Sequence, residues 1–258
     1  MPPDLSYTFN AAAQDYHLAR PQLPEQAVEM VLAYAKSQHP SFTHDSHIFE
    51  VGCGSGQATL PFAKRGFKIT AIDMGEQLVQ LARQSLAAYP KVEILHQRFE
   101  DFRAVSDVDL FLSVQAFHWI DSPTGLTKAV EFLKTGGVLA LIWHLDCSEE
   151  TAFYKATSPI YARYKKLMLA ARPTPAAGKE KIYQALQQHC HFKDLAVKRF
   201  SWQQQHDKKN FLSLLRSFSN HAVLADTAFY QEIAFVIDDF GGQVTTLYET
   251  AILLATKV

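Results

Sequence analysis

The tightest constraint on this chain is a short one. His47 to Thr59 reads "HIFEVGCGSGQAT", an apolar run that ends in glycines at 52, 54 and 56, separated only by Cys53 and Ser55. Glycines at alternate positions let a backbone turn sharply and let a ligand lie against it with no Cβ between them. A helical pattern follows, and the first turn of a helix offers unpaired N–H groups to negative charge. Such a turn belongs between a strand and a helix, so the flanking sequence must supply both.

It does so repeatedly. "HIFEV", "FKITAID", "VEILHQ", "DVDLFLSV" and "VLALIWH" read as buried strands. Between them lie helical patterns: "GQATLPFAKRG" closed by Gly66, a stretch marked by Leu78, Leu81, Ala82, Ser85 and Tyr89, and "PTGLTKAVEFLK" before a turn at Gly136-Gly137. A βαβαβ series predicts a parallel sheet covered on both faces, with its ligand beyond the carboxyl ends of the strands where their order reverses. Residues 1–21 read as an arm ending at Arg20-Pro21, and a helix starts near Pro24 with Ala27, Met30, Val31 and Tyr34 on one face. After Cys147, residues 149–188 are helical and basic, interrupted by "RPTPAAG". "KDLAVKRFSW" is a strand, residues 208–239 hold two more helices, and "QVTTLYETAILLATKV" is a closing strand. The expected organisation is therefore an arm at 1–21, a core at 22–148, and a region at 149–258 that adds a helical cap and the last strands to one structural domain.

Composition narrows the function. The 258 residues are 48% hydrophobic, enough for a large core, and the net charge of −1 gives no case for nucleic acid or membrane as partner. Runs such as "VLALIW" and "AILLA" fall far short of the ~20 apolar residues of a membrane span. The polar opening "MPPDLSYTFN" does not read as a signal peptide, and Cys53, Cys147 and Cys190 form no CxxC, so the expected compartment is the cytoplasm. One local bias stands out: Lys155 to Arg199 holds ten basic residues against Glu180 and Asp194. A solvated helix face explains it, and so does a rim that attracts an anionic substrate.

The glycine spacing is not that of a dinucleotide fingerprint, because the third glycine comes one position early and Gln57 stands in its place. No Gly-Lys-Ser/Thr follows, which excludes a P-loop. Glu50 ends the first strand, and Asp73 ends the second, 17 residues after Gly56. A carboxylate at the second position accepts both hydroxyls of a ribose. The expected ligand thus carries a ribose and needs no pyrophosphate.

"EVGCGSG" followed by "AIDMG" resembles the class I S-adenosylmethionine-dependent methyltransferases; "RFED", "VQAFHW" and "LKTGGVLAL" match later motifs of that family in order. "FNAAAQDYHLARPQLP" with "QAFHWID" is similar to the small-molecule branch that includes trans-aconitate methyltransferases. The resemblance implies a Rossmann-like, seven-stranded, mostly parallel sheet with helices on both faces and a helical cap insertion. It implies S-adenosyl-L-methionine as cofactor and methyl transfer to a small molecule, with a carboxylate as the candidate acceptor. It also implies roles. Gly52, Gly54 and Gly56, with Cys53 among them, line the methionine and ribose portions. Glu50 lies near the methionyl amino group, Asp73 takes the ribose diol, and Met74 flanks the adenine. Glu100 and the backbone around Phe99 address the adenine ring, and Val114 and Gln115 bring backbone groups to the methionine end. Tyr16 and Arg20 in the arm fold over the site, and Arg20 pairs with the cofactor carboxylate.

His118 is the candidate general base, following the fourth strand, and Tyr16 a second catalytic candidate. Trp119, Trp143 and Tyr16 are candidates for an aromatic wall, with His144 at the end of the fifth strand beside the substrate. Arg163, Lys165 and Arg216 are the cations expected to grip an anionic acceptor. "QHCHF" at 188–192 is too compact to form a zinc site unaided, and no metal is expected. Two rivals remain: a nucleotide-cofactor oxidoreductase, and a non-catalytic protein that keeps the cofactor pocket. A nucleic-acid methyltransferase is the lesser variant within the same class.

Overall fold

The computed structural model describes residues 12–103, 107–170, 178–225 and 227–258; the first part of the arm and the "RPTPAA" of the expected break lie outside them. In chain order the elements are α1 (Ala13–Ala19), α2 (Glu25–Gln38), β1 (His47–Val51), α3 (Thr59–Lys64), β2 (Lys68–Asp73), α4 (Glu76–Ser85), β3 (Val92–His96) and β4 (Val108–Val114). There follow α5 (Ser122–Phe132), β5 (Leu133–Asp146), α6 (Ala152–Ala170), α7 (Lys179–Gln187), β6 (Phe192–Asp207), α8 (Lys208–Arg216), α9 (Phe229–Asp239) and β7 (Gln243–Lys257).

The strands form one seven-stranded sheet in the order β3-β2-β1-β4-β5-β7-β6. β1 pairs in parallel with β2 on one side and β4 on the other, and β2–β3 and β4–β5 are also parallel. The order of connection therefore reverses at the β1/β4 boundary, directly above which the glycine run emerges. This is the Rossmann-like arrangement expected of the alternating pattern. β1 and β4 read as nearly unbroken apolar runs because both faces of the sheet are covered there.

Two compact units share the chain. The larger comprises the described residues of Gln22–Trp143, Pro175–Arg199 and Ala251–Val258. Its core centres on Phe49, whose ring meets Phe102 at 5.1 Å nearly stacked and Phe132 at 5.1 Å edge-on. Phe99, Phe111, Leu141, Ile182 and Leu253 complete that cluster. The smaller unit comprises the described residues of Met1–Pro21, His144–Thr174 and Phe200–Thr250. Phe153, Phe211, Leu214, Phe229 and Ile233 form its core, with Ala19 of α1 among them. No helix among the described residues is long and apolar enough to cross a membrane.

Two elements differ from the sequence expectation. The helix after the glycine run begins only at Thr59, because Gly52, Gly54 and Gly56 have φ of +73°, +56° and +92°, outside helical space. Nor is Gly136-Gly137 a turn before β5: it lies within the strand, beside a break in the β4–β5 register between Val108 and Leu110. Gly136 takes φ +78°, the signature of a bulge, which absorbs extra residues without ending the strand. A Cβ on Gly137 would come within 2.8 Å of the Lys134 carbonyl and 2.9 Å of that of Val108. Both obstacles are backbone, so Gly137→Ala should lower stability by about 1–3 kcal/mol, read as a drop in the urea midpoint.

Candidate active site

The site begins where β1 ends. Gly52 N and Cys53 N both donate to the Ile72 carbonyl, at 2.9 and 3.1 Å, which folds the loop back over the end of β2. Asp73 holds the loop from the other side: one carboxylate oxygen accepts from Gly54 N at 2.9 Å and the other from Gly75 N at 2.8 Å. Burial raises the Asp73 pKa above the usual carboxylate value, and those backbone donors oppose the shift. Ser113 Oγ donates to the Val51 carbonyl at 2.9 Å, joining β4 to the same corner. A Cβ on Gly52 would lie 2.2 Å from the Ala116 Cβ, so the loop fits beneath the turn after β4 only as glycine.

Glu50 is the unusual group. It is 1% exposed, and its Oε2 accepts from the Thr59 hydroxyl at 2.7 Å, while Oε1 is sealed from solvent with no hydrogen-bond partner among the described residues. Burial raises its pKa to about 7, and the charge of Asp73 adds to the shift. A buried carboxylate oxygen without a donor is costly in the ionised state and is a natural seat for a cationic or N–H group. Cys53 lies between the two acids; burial, then Asp73 and Glu50, push its thiol pKa well up, which suits a small filler and not a nucleophile.

The remaining candidates divide between the units. In the larger one, Gln115 takes φ +58° and its N–H donates to the Ile142 carbonyl at 2.9 Å, so the chain bends sharply at the carboxyl end of β4. Val114 precedes it at the last position of the strand. His118 receives a hydrogen bond at Nδ1 from the Trp143 indole N–H, 3.1 Å away. Nδ1 is thus an acceptor already engaged, which places the proton of a neutral ring on Nε2 and weakens the case for His118 as a base. Trp143 is 4% exposed and part of the core, so its link to the site runs through His118. The Trp119 ring lies 5.1 Å from that of His118. Met74 is half-buried, and its carbonyl accepts from His96 Nε2 at 3.0 Å.

Phe99 turns its side chain into the core against Phe49, Phe111 and Phe132, which leaves only its backbone to address a ligand. The clamp on that backbone is a residue the sequence did not single out. Lys128 of α5 is 8% exposed and its ammonium donates to the carbonyls of Phe99 and Glu100. No pattern in "GLTKAVEF" separates it from a solvated surface lysine. The Glu100 side chain is exposed, with Arg98 Nε 3.7 Å from its carboxylate.

Tyr16, Arg20, His144, Arg163 and Arg216 all belong to the smaller unit. Arg163 forms an ion pair with Glu232, whose other oxygen accepts from Tyr164 OH at 2.9 Å. Arg216 is exposed and lies over the Tyr230 ring, 4.9 Å from its centroid, while Lys165 is exposed. His144 Nδ1 is 2.8 Å from Thr250 Oγ1, which also accepts from Trp202 Nε1 at 2.7 Å. In "QHCHF" the His189 ring packs 5.3 Å from Phe192.

The sign of the Glu50 shift sets a measurable pH dependence. Its folded-state pKa lies above the unfolded value of about 4.5, so the cost is absent below pH 4.5, grows as pH rises, and is complete above about 7. That shift corresponds to about 3 kcal/mol lost by the ligand-free protein across the window. Glu50→Gln should flatten this part of the urea-stability profile and stabilise the protein at pH 8; an unchanged slope would refute the shift.

Residues 48–137 match the model of a methyltransferase domain. Among curated proteins, the chain is 28% identical over 142 residues to an uncharacterized methyltransferase of Mycobacterium bovis, covering 55% of this chain and 54% of that protein. It is 32% identical over 127 residues to a ubiquinone biosynthesis O-methyltransferase of Xanthomonas axonopodis, covering 47% of this chain and 52% of the relative. The chain thus spans about half the length of the curated relatives it matches. A solved structure from Anaeromyxobacter dehalogenans, provisionally described as a Type II methyltransferase, superposes with a TM-score of 0.63 at 20% identity over 91% of this chain and 97% of that one. The YcgJ protein of Bacillus subtilis gives 0.54 at 12% identity, over 91% and 99%. At such identities the structural likeness speaks for the fold. The matched segment and the fold are thus what this chain shares with methyltransferases.

Proposed function

We propose that this chain transfers a methyl group from S-adenosylmethionine to a small-molecule acceptor, and that the loop between β1 and Thr59 is where the cofactor binds. The observation that carries the reading is the pair of acids at the strand ends, Glu50 fully buried and Asp73 half-buried, on either side of a loop whose Gly52 admits no Cβ. Glu50 Oε1, buried and without a donor, fits the ammonium of the methionyl group. Asp73 keeps its two oxygens oriented through Gly54 N and Gly75 N, with lone pairs left for a ribose diol. Nothing in the loop replaces the missing third fingerprint glycine, which disfavours the dinucleotide rival.

When bound, the cofactor supplies a methyl already activated by a positive sulfur. The tasks left to the chain are orientation, exclusion of water and placement of charge. Glu50 and Asp73 grip opposite ends of one ligand, while Met74, the Lys128-held backbone at Phe99–Glu100, and Val114–Gln115 form the rest of the cofactor set. Alignment of this kind can supply about 7–11 kcal/mol of barrier lowering. With His118 Nδ1 engaged by Trp143, the reading favours an acceptor that needs no strong base, such as a carboxylate or another preformed nucleophile. The likeness of the arm and of "QAFHWID" to the trans-aconitate branch supports a small acceptor, as does the relative named for ubiquinone biosynthesis. Cys53, Cys147 and Cys190 are all free, in keeping with a reducing cytoplasm.

The test is calorimetry with S-adenosylhomocysteine and with NAD, followed by isotopic methyl transfer from labelled cofactor into cell extract. Heat with NAD alone would overturn the cofactor assignment, and absence of transferred label would leave a binding protein and not an enzyme. Asp73→Ala should weaken S-adenosylhomocysteine about 30- to 100-fold, the loss of a double charge-assisted hydrogen bond. Because an ammonium requires Glu50 ionised, binding at pH 6.5 should release protons, detected as a buffer-dependent enthalpy. In Glu50→Gln that buffer dependence should vanish.

A further inference from the structure

Among the described residues of the larger unit, Lys128 of α5 is the one buried lysine or arginine. Its ammonium lies 4.8 Å from the centroid of the Phe99 ring and 5.8 Å from that of Phe132. It donates to the Phe99 carbonyl and, at 2.9 Å, to the Glu100 carbonyl. The acids whose charge reaches it, Glu100, Asp101 and Glu131, stop short of an ion pair. Burying an ammonium forfeits its hydration, and two neutral carbonyls restore only part of it. A methionine at this position would pack against the same two rings without that cost. What the charge adds is a fixed path for the segment it grips.

That path decides which way the segment faces. The Phe99–Glu100 peptide is trans, so its N–H points opposite to its carbonyl. With the Phe99 oxygen turned toward the ammonium, the Glu100 N–H is turned away from α5, and it donates to none of the described residues. The neighbouring Asp101 N–H is engaged by the Arg98 carbonyl at 3.3 Å, and Arg103 Nη1 joins Lys128 on the Glu100 carbonyl at 2.6 Å. The segment is also tied to the proposed ribose site, because Gln97 N donates to the Asp73 carbonyl at 2.9 Å. Asp73 ends β2, and the segment follows β3, the next strand outward. A purine whose ribose sits at Asp73 and whose base extends toward β3 presents its far edge there. On adenine that edge carries ring N1, a lone pair suited to an N–H donor. We propose that Lys128 is a positioning residue for the purine: by drawing the Phe99 and Glu100 carbonyls toward α5, it aims the Glu100 N–H at ring N1. This role rests on the S-adenosylmethionine reading, and every group it uses belongs to the larger unit.

The test is calorimetric titration of the full chain with S-adenosylhomocysteine and with its 1-deaza analogue, which has C–H in place of ring N1 and keeps the amino group. Wild type should bind the 1-deaza compound about tenfold more weakly, the effect of leaving one donor unpaired. In Lys128→Met, S-adenosylhomocysteine should weaken by about tenfold, and the two compounds should then bind within about twofold of each other. Lys128→Arg, which keeps a charged donor, should retain the preference for the parent compound. A lysine that merely supports the core would lower the urea midpoint in Lys128→Met and leave the preference at its wild-type ratio; that result would overturn the proposal. A wild type indifferent to the 1-deaza change would overturn it, and so would a preference lost equally in Lys128→Arg, which would trace the effect to packing. Should Lys128→Met not fold, Lys128→Gln, which reaches at most one carbonyl, is measured in its place with the same two outcomes. If wild type gives no heat with S-adenosylhomocysteine, the cofactor reading fails and this role with it, whereas an unchanged preference in the variant removes the role of Lys128 alone.

Discussion

The fold turns on the corner where β1 gives way to its loop. Two parallel neighbours, β2 and β4, leave β1 in opposite chain directions, so no covering element can sit directly over the end of the strand. The loop fills that gap by attaching its own N–H groups to the Ile72 carbonyl and the Asp73 carboxylate. Backbone that would otherwise need solvent is satisfied internally. The rest of the larger unit, from the Phe49 cluster to the Ser113–Val51 contact, holds the strands that define that corner.

The electrostatics of the corner are set by its two acids. The charge of Asp73 adds to the cost of ionising Glu50, whose Oε1 is buried without a hydrogen-bond partner among the described residues. The spacing of the glycines and the placement of the acids are independent features of one corner, and the proposed cofactor reading draws on both.

Much of this was legible beforehand, for a local reason. The glycine run, Glu50 and Asp73 sit at strand ends fixed by short-range periodicity, so the number of residues between them already encodes their positions in space. The bulge at Gly136 was not legible as such, because a glycine pair after a helix reads equally as a turn; only the partner strand reveals that pairing continues past it. The engagement of His118 by Trp143, the pairing of Arg163 with Glu232, and the meeting of Arg20 with His221 join residues 25, 69 and 201 positions apart in sequence. Contacts at such separations leave no periodic trace. Lys128 escaped for a different reason: its partners are main-chain oxygens, and no complementary side chain in the sequence announces them.

That last contact has a consequence for how the domain can diverge. An ammonium that grips carbonyls is blind to the identity of the residues it holds. The segment carrying Phe99 and Glu100 can therefore exchange its exposed side chain at 100 while its path through space stays tethered to α5. Variation in recognition and constancy of shape are assigned there to separate atoms of the same two residues.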